Sequence, residues 1–306
     1  MSWELPPLGA IRVFEAASRL GSFTKAAEEL GMTQSAASYQ IKLLEERAGT
    51  ALFVRRARKV ELTESGAMLS PVTSQAFSML SDAWLSTKGS ATGVLAVTAI
   101  ETFASNWLAT RLGSFQLMYP NLAVKVETSR RLANFSREAV DVGIRTGDGN
   151  WPDLSAHYLF KADYTPMLSP RLAESVGGIS TPEDLYKVPL CCADYPWWSN
   201  WFEAAGAKFD PSRVIRGPSL ETQTNDAIAA ITEQGAAILT CNLYDTFLSK
   251  GQLIQPFDVT VTDSDGYWLV YSNARRNAAK IKAFREWLLE QTAGVRHREG
   301  RHRDVA

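Results

Sequence analysis

The chain has 306 residues, 45% of them hydrophobic and 21% charged, with a formal net charge of −1. That length supports two or three domains with a sizeable core, and that composition excludes a disordered, collagenous or disulfide-stapled chain. No signal-like N-terminus and no apolar run near the ~18 residues of a bilayer span is present, so the expectation is a cytoplasmic protein with no membrane partner.

Near the start, Ser22 is a good N-cap, and Ala26, Ala27 and Leu30 give the helix it opens an apolar stripe. Gly31 can close that helix in the left-handed conformation. Thr33 then caps a second helix, Gln34 to about Ala48, with Ala37, Ile41 and Leu44 as its core face. The outer face carries Gln34, Ser35, Ser38, Tyr39 and Lys42, beside the capping Thr33. Hydrogen-bonding side chains on the first turns of a slender second helix suit the recognition helix of a helix-turn-helix in a major groove. The alternative is an ordinary helical hairpin with solvated polar residues.

Leu52–Thr63 reads as a small hairpin with its tip near Ala57 and Arg58, and Arg55, Arg56, Arg58 and Lys59 charge it positively. Such a wing reaches phosphates or a minor groove. The whole of residues 1–65 holds nine Lys/Arg against eight Asp/Glu, so any positive potential is local.

Residues 64–88 read as one long helix. Leu69, Val72, Ala76, Met79 and Ala83 recur at spacings of three and four, a coiled-coil seam that one small domain cannot hide. The expectation is a dimerisation helix, with packing against its own chain as the alternative. Pro71 should bend it or mark a late start. Residues 89–93, Gly-Ser-Ala-Thr-Gly, read as a hinge.

Beyond it, strands are expected at 94–100, 123–128, 140–145, 164–169, 190–193, 236–240 and 267–271. Helices are expected at 105–118, 200–205, 224–234 and 278–291. This is an α/β portion with a mostly parallel, doubly wound pattern. The tail, 293–306, is basic and polar and is expected to be disordered.

The order of features at the N-terminus resembles the LysR-type transcriptional regulators. The motifs are Leu5-Pro-Pro-Leu8, Phe14-Glu-Ala-Ala17, the Gly21–Glu45 helices, Leu52-Phe53, Arg55 and Leu62-Thr63 leading to Gly66. Within that family the chain is most similar to the subgroup of the glycine-cleavage activator and the β-lactamase-gene regulators. Phe103-Ala, Trp107-Leu, Arg111-Leu, Asp141-Val-Gly-Ile-Arg-Thr-Gly147, Trp197 with Trp201-Phe, and Tyr267-Trp268 carry that likeness. The resemblance covers nearly the whole chain, to about residue 290. It implies a winged helix-turn-helix over 1–63, a linker helix over 64–88 and an effector domain over 94–292. That domain would have two lobes like those of periplasmic binding proteins, 94–165 with 268–292, and 166–267. The implied partners are double-stranded promoter DNA, a small-molecule effector, a second or further copies in a homodimer or homotetramer, and RNA polymerase. Gln34, Ser35, Ser38 and Arg55 are then DNA contacts by similarity. Tyr39 departs, standing where many members carry Arg or His.

Ligands of two-lobed sheets sit between the lobes, at loops beyond strand ends and at helix N-termini. Glu101, Thr102, Phe103 and Ser105 form one such loop, and in the family it lines the effector cleft. Glu101 departs from the usual Pro or small residue, and a carboxylate there can receive an ammonium, so that with the helix N-terminus the expected effector is a zwitterion or amine related to an amino acid. The alternative for Glu101 is a solvated charge at a helix start. The same topology nominates Asn134 and Phe135, Ser219, Glu221 and Thr222, Trp197, and Tyr267, with Arg145 facing either an anionic ligand or a structural carboxylate.

An enzyme needs a reactive constellation, and none is spelled out. Two of three His lie in the tail, leaving His157; Cys191, Cys192 and Cys241 lack metal-site spacing. No Gly-x-Ser-x-Gly, phosphate loop or dinucleotide fingerprint occurs. No catalytic residue, metal or cofactor is therefore expected. A ligand-indifferent DNA-binding repressor, or an α/β enzyme fused to a DNA-binding head, stays as the alternative.

Overall fold

The computed structural model describes residues 5–56, 59–87, 91–135 and 138–303. Leu8–Leu20 forms α1, closed by left-handed Gly21. Phe23–Glu29 forms α2, where the Ser22 hydroxyl accepts from the Lys25 amide at 3.3 Å. Gln34–Ala48 forms α3, where the Thr33 hydroxyl accepts from the Ala36 amide at 3.2 Å. These bonds satisfy amides that a helix start leaves without partners. Phe53–Arg56 (β1) pairs antiparallel with Lys59–Leu62 (β2), and Glu64–Thr87 is α4.

Phe14, Phe23 and Phe53 meet at the centre of the head, their rings 5.2–5.3 Å apart, with Ala37, Ile41 and Leu44 of α3 packed in from one side. Burying each large apolar side chain contributes about 1.5–3 kcal/mol. Gly66 sits where a Cβ would lie 2.1 Å from the Leu52 carbonyl oxygen. Only glycine lets α4 start this close to the strand segment.

The helix runs through Pro71 from Glu64 without a late start. The Thr63 hydroxyl accepts from the Gly66 amide, and Thr73 bonds back to the Leu69 and Ser70 carbonyls around the proline. The expected seam is only partly uncovered. Leu69 packs into the head's core, whereas Val72 and Ala76 are exposed and Met79 is half-buried. The side chain of Ala83 lies outside the described residues. Met68, Leu80 and Trp84 are exposed as well, so with Val72 and Ala76 the uncovered stripe runs at spacings of four.

The second part is built on a six-stranded sheet. In chain order its elements are β3 (Gly93–Ala99), a π-helical turn (Phe103–Leu108), α5 (Leu112–Met118), β4 (Leu122–Thr128), β5 (Val142–Gly147) and β6 (Leu154–Met167). Then follow α6 (Pro170–Ser175), β7 (Pro189–Leu190), α7 (Pro196–Ala204), β8 (Ile215–Arg216) and α8 (Gln223–Ile231). The last elements are β9 (Ala237–Thr240), α9 (Asp245–Ser249), β10 (Val261–Ser272) and α10 (Ala279–Arg303). The order across the large sheet is β4-β3-β5-β10-β6-β9. β3 pairs in parallel with β4 and β5, but β10 is antiparallel to β5 and β6, and β6 is antiparallel to β9. The sheet is mixed rather than mostly parallel, because two long strands carry the chain between its halves in opposite directions.

Other differences have local causes. The helix expected over 105–118 is split. Thr110 bonds the Asn106 and Trp107 carbonyls, and Arg111 also bonds the latter, so side chains take up backbone acceptors at the join. Gly93 of the expected hinge is the first residue of β3, and residues 88–90 lie outside the described residues. Helix α10 continues through Arg303, past residue 293 where a structureless tail was expected. Extending an existing helix adds one hydrogen bond per residue without a new nucleus, and most residues there are adequate helix formers.

The chain clusters as two units. One gathers Met1–Ser90 with Asn134–Ala139 and Asn277–Ala279; the other gathers Ala91–Ala133, Val140–Arg276 and Lys280–Ala306.

Candidate DNA interface and ligand cleft

Helix α3 buries Ala37, Ile41 and Leu44 and leaves Thr33, Gln34, Ser35, Tyr39 and Lys42 exposed, with Ser38 half-buried. Tyr39 is 64% exposed, so among the described residues of the head the polar edge is uncovered. Thr33 is committed as the cap, its hydroxyl 3.1 Å from that of Ser35. Lys42 lies 3.6 Å from Glu46, both well exposed, a pair too solvated to hold the lysine back from a phosphate. On the inner side, the Glu45 carboxylate accepts from the amides of Leu52 and Phe53, at 2.8 and 3.1 Å. One carboxylate thus fixes the hairpin against the recognition helix. Arg55 and Arg56 lie on β1, paired with Val60 and Lys59. Arg58, and the side chains of Arg55, Arg56 and Lys59, fall outside the described residues.

In the second unit a cleft of about 780 Å³ is lined by Glu101, Thr102, Ser219, Glu221 and Thr222 among others. These five sequence candidates come together from two places: the start of the helical turn after β3, and the segment leading into α8. The Thr222 hydroxyl caps α8 by accepting from the Asn225 amide.

Seven other candidates do not line the cleft. Phe103 is fully buried and stacks on Trp107, Phe160 and Tyr267. Tyr267 belongs to that same stack and is 3% exposed. Ser105 is exposed away from the cleft. Trp197 lies flat on Tyr164, ring centroids 3.9 Å apart. Arg145 is buried and, among the described residues, pairs with no carboxylate. It donates to the carbonyls of Thr98, Ile144 and Arg131 and to the Thr98 hydroxyl, and burial pulls its pKa down. Asn134 and Phe135 fall in the other unit, where Gln75 of α4 donates to the Phe135 carbonyl.

Sequence reasoning missed four charged residues of the cleft: Arg130, Asp194, Arg216 and Asp226. Arg216 and Asp194 satisfy each other bidentately, at 2.5 and 2.9 Å. Arg130 donates to the Glu221 carbonyl at 3.2 Å, and Glu221 holds a left-handed backbone, φ 63. Asp226 lies one helical turn after Thr222 on α8, a spacing that places both on one face.

The Asp226 carboxylate is 8% exposed. Its oxygens lie 3.4 and 3.5 Å from the Cys192 sulfur, and burial pushes its pKa above the ordinary range, against the opposing pull of the thiol and the Leu220 backbone. The buried Tyr244 hydroxyl is pushed up by burial, with Tyr267, Asp226 and Glu101 adding to it. Asp226 and Glu101 both line the cleft. Cys191 behind it is buried and held up to about 12, an inert thiol at neutral pH.

Residues 8–67 match the bacterial regulatory helix-turn-helix protein, lysR family, and residues 88–293 match the LysR substrate binding domain. The chain is 37% identical over 295 residues to the glycine cleavage system transcriptional activator of Escherichia coli (strain K12), covering 96% of each. It is 36% identical over 287 residues to the HTH-type transcriptional activator AmpR of Providencia stuartii, covering 93% of this chain and 96% of that one. Among solved structures it resembles the effector domain of the transcriptional regulator AmpR of Pseudomonas aeruginosa, with a TM-score of 0.55 and 30% identity over 67% of this chain and 98% of that one. These relatives are transcriptional regulators rather than enzymes. A helix-turn-helix with an open reading edge, joined by a long helix to a two-lobed α/β ligand domain, places this chain in the LysR family of transcriptional regulators.

Proposed function

We propose that this chain reads two half-sites of a promoter as a symmetric oligomer and changes its grip on them when a small amino-bearing molecule enters the cleft. The observation that carries the first half is the exposed edge of α3, Gln34, Ser35, Tyr39 and Lys42. Thr33 and Ser38 shape its first turns, Arg55 and Arg56 follow on β1, and Arg58, outside the described residues, is proposed as a further phosphate contact. The exposed apolar stripe of α4 pairs two copies, as a dimer or as a dimer of dimers, over residues 64–88. The cleft of 94–292 senses, with Glu101, Thr102, Ser219, Glu221 and Thr222 facing the ligand. The site of action is the cytoplasm, where promoter and RNA polymerase are found.

A ligand shifts the oligomer only by binding one arrangement more tightly than another. Mobility shift and footprinting on the promoter region beside the gene tests the reading, with and without amino acids and amines. A protected inverted repeat whose extent or bend changes with an amine is the expected result. A footprint indifferent to every ligand favours the constitutive repressor, and no footprint at all overturns both.

A further inference from the structure

The Asp226 carboxylate is poorly matched to its surroundings. It is more than nine-tenths buried and faces a cleft of about 780 Å³. Its side-chain donor is the Cys192 thiol, at 3.4–3.5 Å, and a thiol is a weak donor. A buried carboxylate gains most from a charged donor such as an ammonium, whose hydrogen bonds are about twice as strong as neutral ones. Glu101 lines the same cleft. Cys192 is held in place with a left-handed backbone, φ 47, unusual for a residue with a Cβ. That conformation aims its sulfur at Asp226 and within 3.7 Å of the Ser219 hydroxyl. At the cleft rim, Arg130 makes no ion pair among the described residues and keeps donors besides the one given to Glu221.

We infer that Asp226 is a socket for a primary ammonium group, that the Cys192 thiol fills it when no ligand is bound, and that Arg130 takes an anionic end of the same ligand. The ligand class is then a zwitterion with separated ammonium and carboxylate. This rests on the cleft's being the effector site and adds to that reading the residue that selects the charge. Binding turns the thiol out of its contact with the carboxylate, so Cys192 is the group the ligand displaces and Ser219 is left to receive the sulfur.

Three isosteric probes separate the ends: β-alanine, which carries both; butyrate, with a methyl in place of the ammonium; and propylammonium, with a methyl in place of the carboxylate. Full-length protein is melted in each at millimolar concentrations, since a ligand bound only by the native state raises Tm by mass action. β-Alanine should shift Tm most, propylammonium less, and butyrate least. Asp226→Asn, which keeps the side-chain shape, should weaken the two ammonium probes by at least about tenfold and leave the butyrate response as it is. Cys192→Ala should keep or tighten ammonium binding. Equal responses to β-alanine and butyrate, an unaltered response in Asp226→Asn, or weaker ammonium binding in Cys192→Ala each overturn the socket. So does the absence of any shift with all three. Promoter binding by the same samples is measured in parallel; its presence leaves the regulator reading standing when the socket fails, and its absence overturns that reading instead.

Discussion

The Arg111 guanidinium grips both carboxylate oxygens of Asp245, at 2.9 and 2.7 Å, while its carbon lies 4.5 Å over the Trp107 ring. Arg111 leads into α5 and Asp245 opens α9, so the pair ties the segment after β3 to the segment after β9. Asn106, one turn earlier, reinforces it by donating to the Thr224 and Tyr244 hydroxyls at 3.1 and 3.2 Å. Asp245 is half exposed, which screens the charge attraction. Arg111→Ala should therefore destabilise by only about 1–2 kcal/mol, much of it from the lost ring contact. Lysine should restore little, because it cannot match both oxygens. Urea unfolding checks the ranking.

Asp141 is the more costly residue to remove. Its two oxygens meet Arg275 and, at 3.0 Å, Lys280, and it accepts from the Ala96 amide at 2.8 Å. Asp141 and Arg275 are almost wholly buried. Asp141→Ala leaves buried cationic groups without their counter-charge, and the expected loss is about 3–5 kcal/mol. A change under 1 kcal/mol in the denaturation midpoint would show that the network is solvated.

Promoter affinity should fall steeply with salt, since contacts to phosphate release counterions. Lys42→Ala should weaken all sequences alike and flatten that salt slope by about one unit. Gln34→Ala should instead blur preference at particular base pairs, costing about 1–3 kcal/mol of discrimination at the affected step. Titrations at several salt concentrations, on the operator and on a scrambled duplex, separate the two.

The stripe on α4 predicts a different loss. Val72→Asp places a charge on the exposed stripe with Met68, Leu80 and Trp84, and Leu80→Asp one with Met68, Val72 and Trp84; either should shift the protein toward monomer, with operator affinity lost but effector binding kept. Sedimentation velocity gives the mass. Leu69→Asp, by contrast, should unfold the head, because Leu69 packs against its core.

His157 supplies the pH dependence. Its ring nitrogen lies 2.7 Å from the Tyr271 hydroxyl, which also accepts from Arg285 at 2.9 Å. A neutral histidine can accept the tyrosine proton there, whereas a cationic one stands close to the Arg285 charge. Burial, followed by the Arg285 charge, lowers its pKa from the ordinary 6.5. A group with a depressed folded pKa binds its proton more readily when unfolded, so its stabilisation is present above about 6.5 and is lost as pH falls below it. Stability should drop through that window, and His157→Gln should flatten the curve.

The head was legible almost residue by residue. Ala37, Ile41 and Leu44 follow the helical period, Thr33 caps, and Gly31 turns left-handed; each is a local rule with a local cause. The cleft was half legible. Glu101 and Thr102 follow a strand, and Ser219 to Thr222 precede a helix, so topology alone places them. Phe103 and Tyr267 belong to the core, the commoner fate of an aromatic at a strand end. Their mutual stacking with Phe160 is decided by a partner far away in sequence. Asp226 was passed over because an acidic residue in a helix's first turn looks like ordinary dipole compensation. Only its burial sets it apart.

The two long strands β6 and β10 have a mechanical consequence. Their ladder runs from Leu154 opposite Ser272 to Tyr164 opposite Val261, with register slips between Thr262 and Gly266 and again between Tyr267 and Trp268. A doubly hydrogen-bonded ribbon resists sliding lengthwise, yet yields in torsion where its rungs are missing. At Gly266 a methyl group would collide with the Tyr158 ring at 2.7 Å, so the backbone passes close under that ring where the register slips. A bulkier residue at position 266 would have to push that ring aside, straining the ladder where it already lacks rungs.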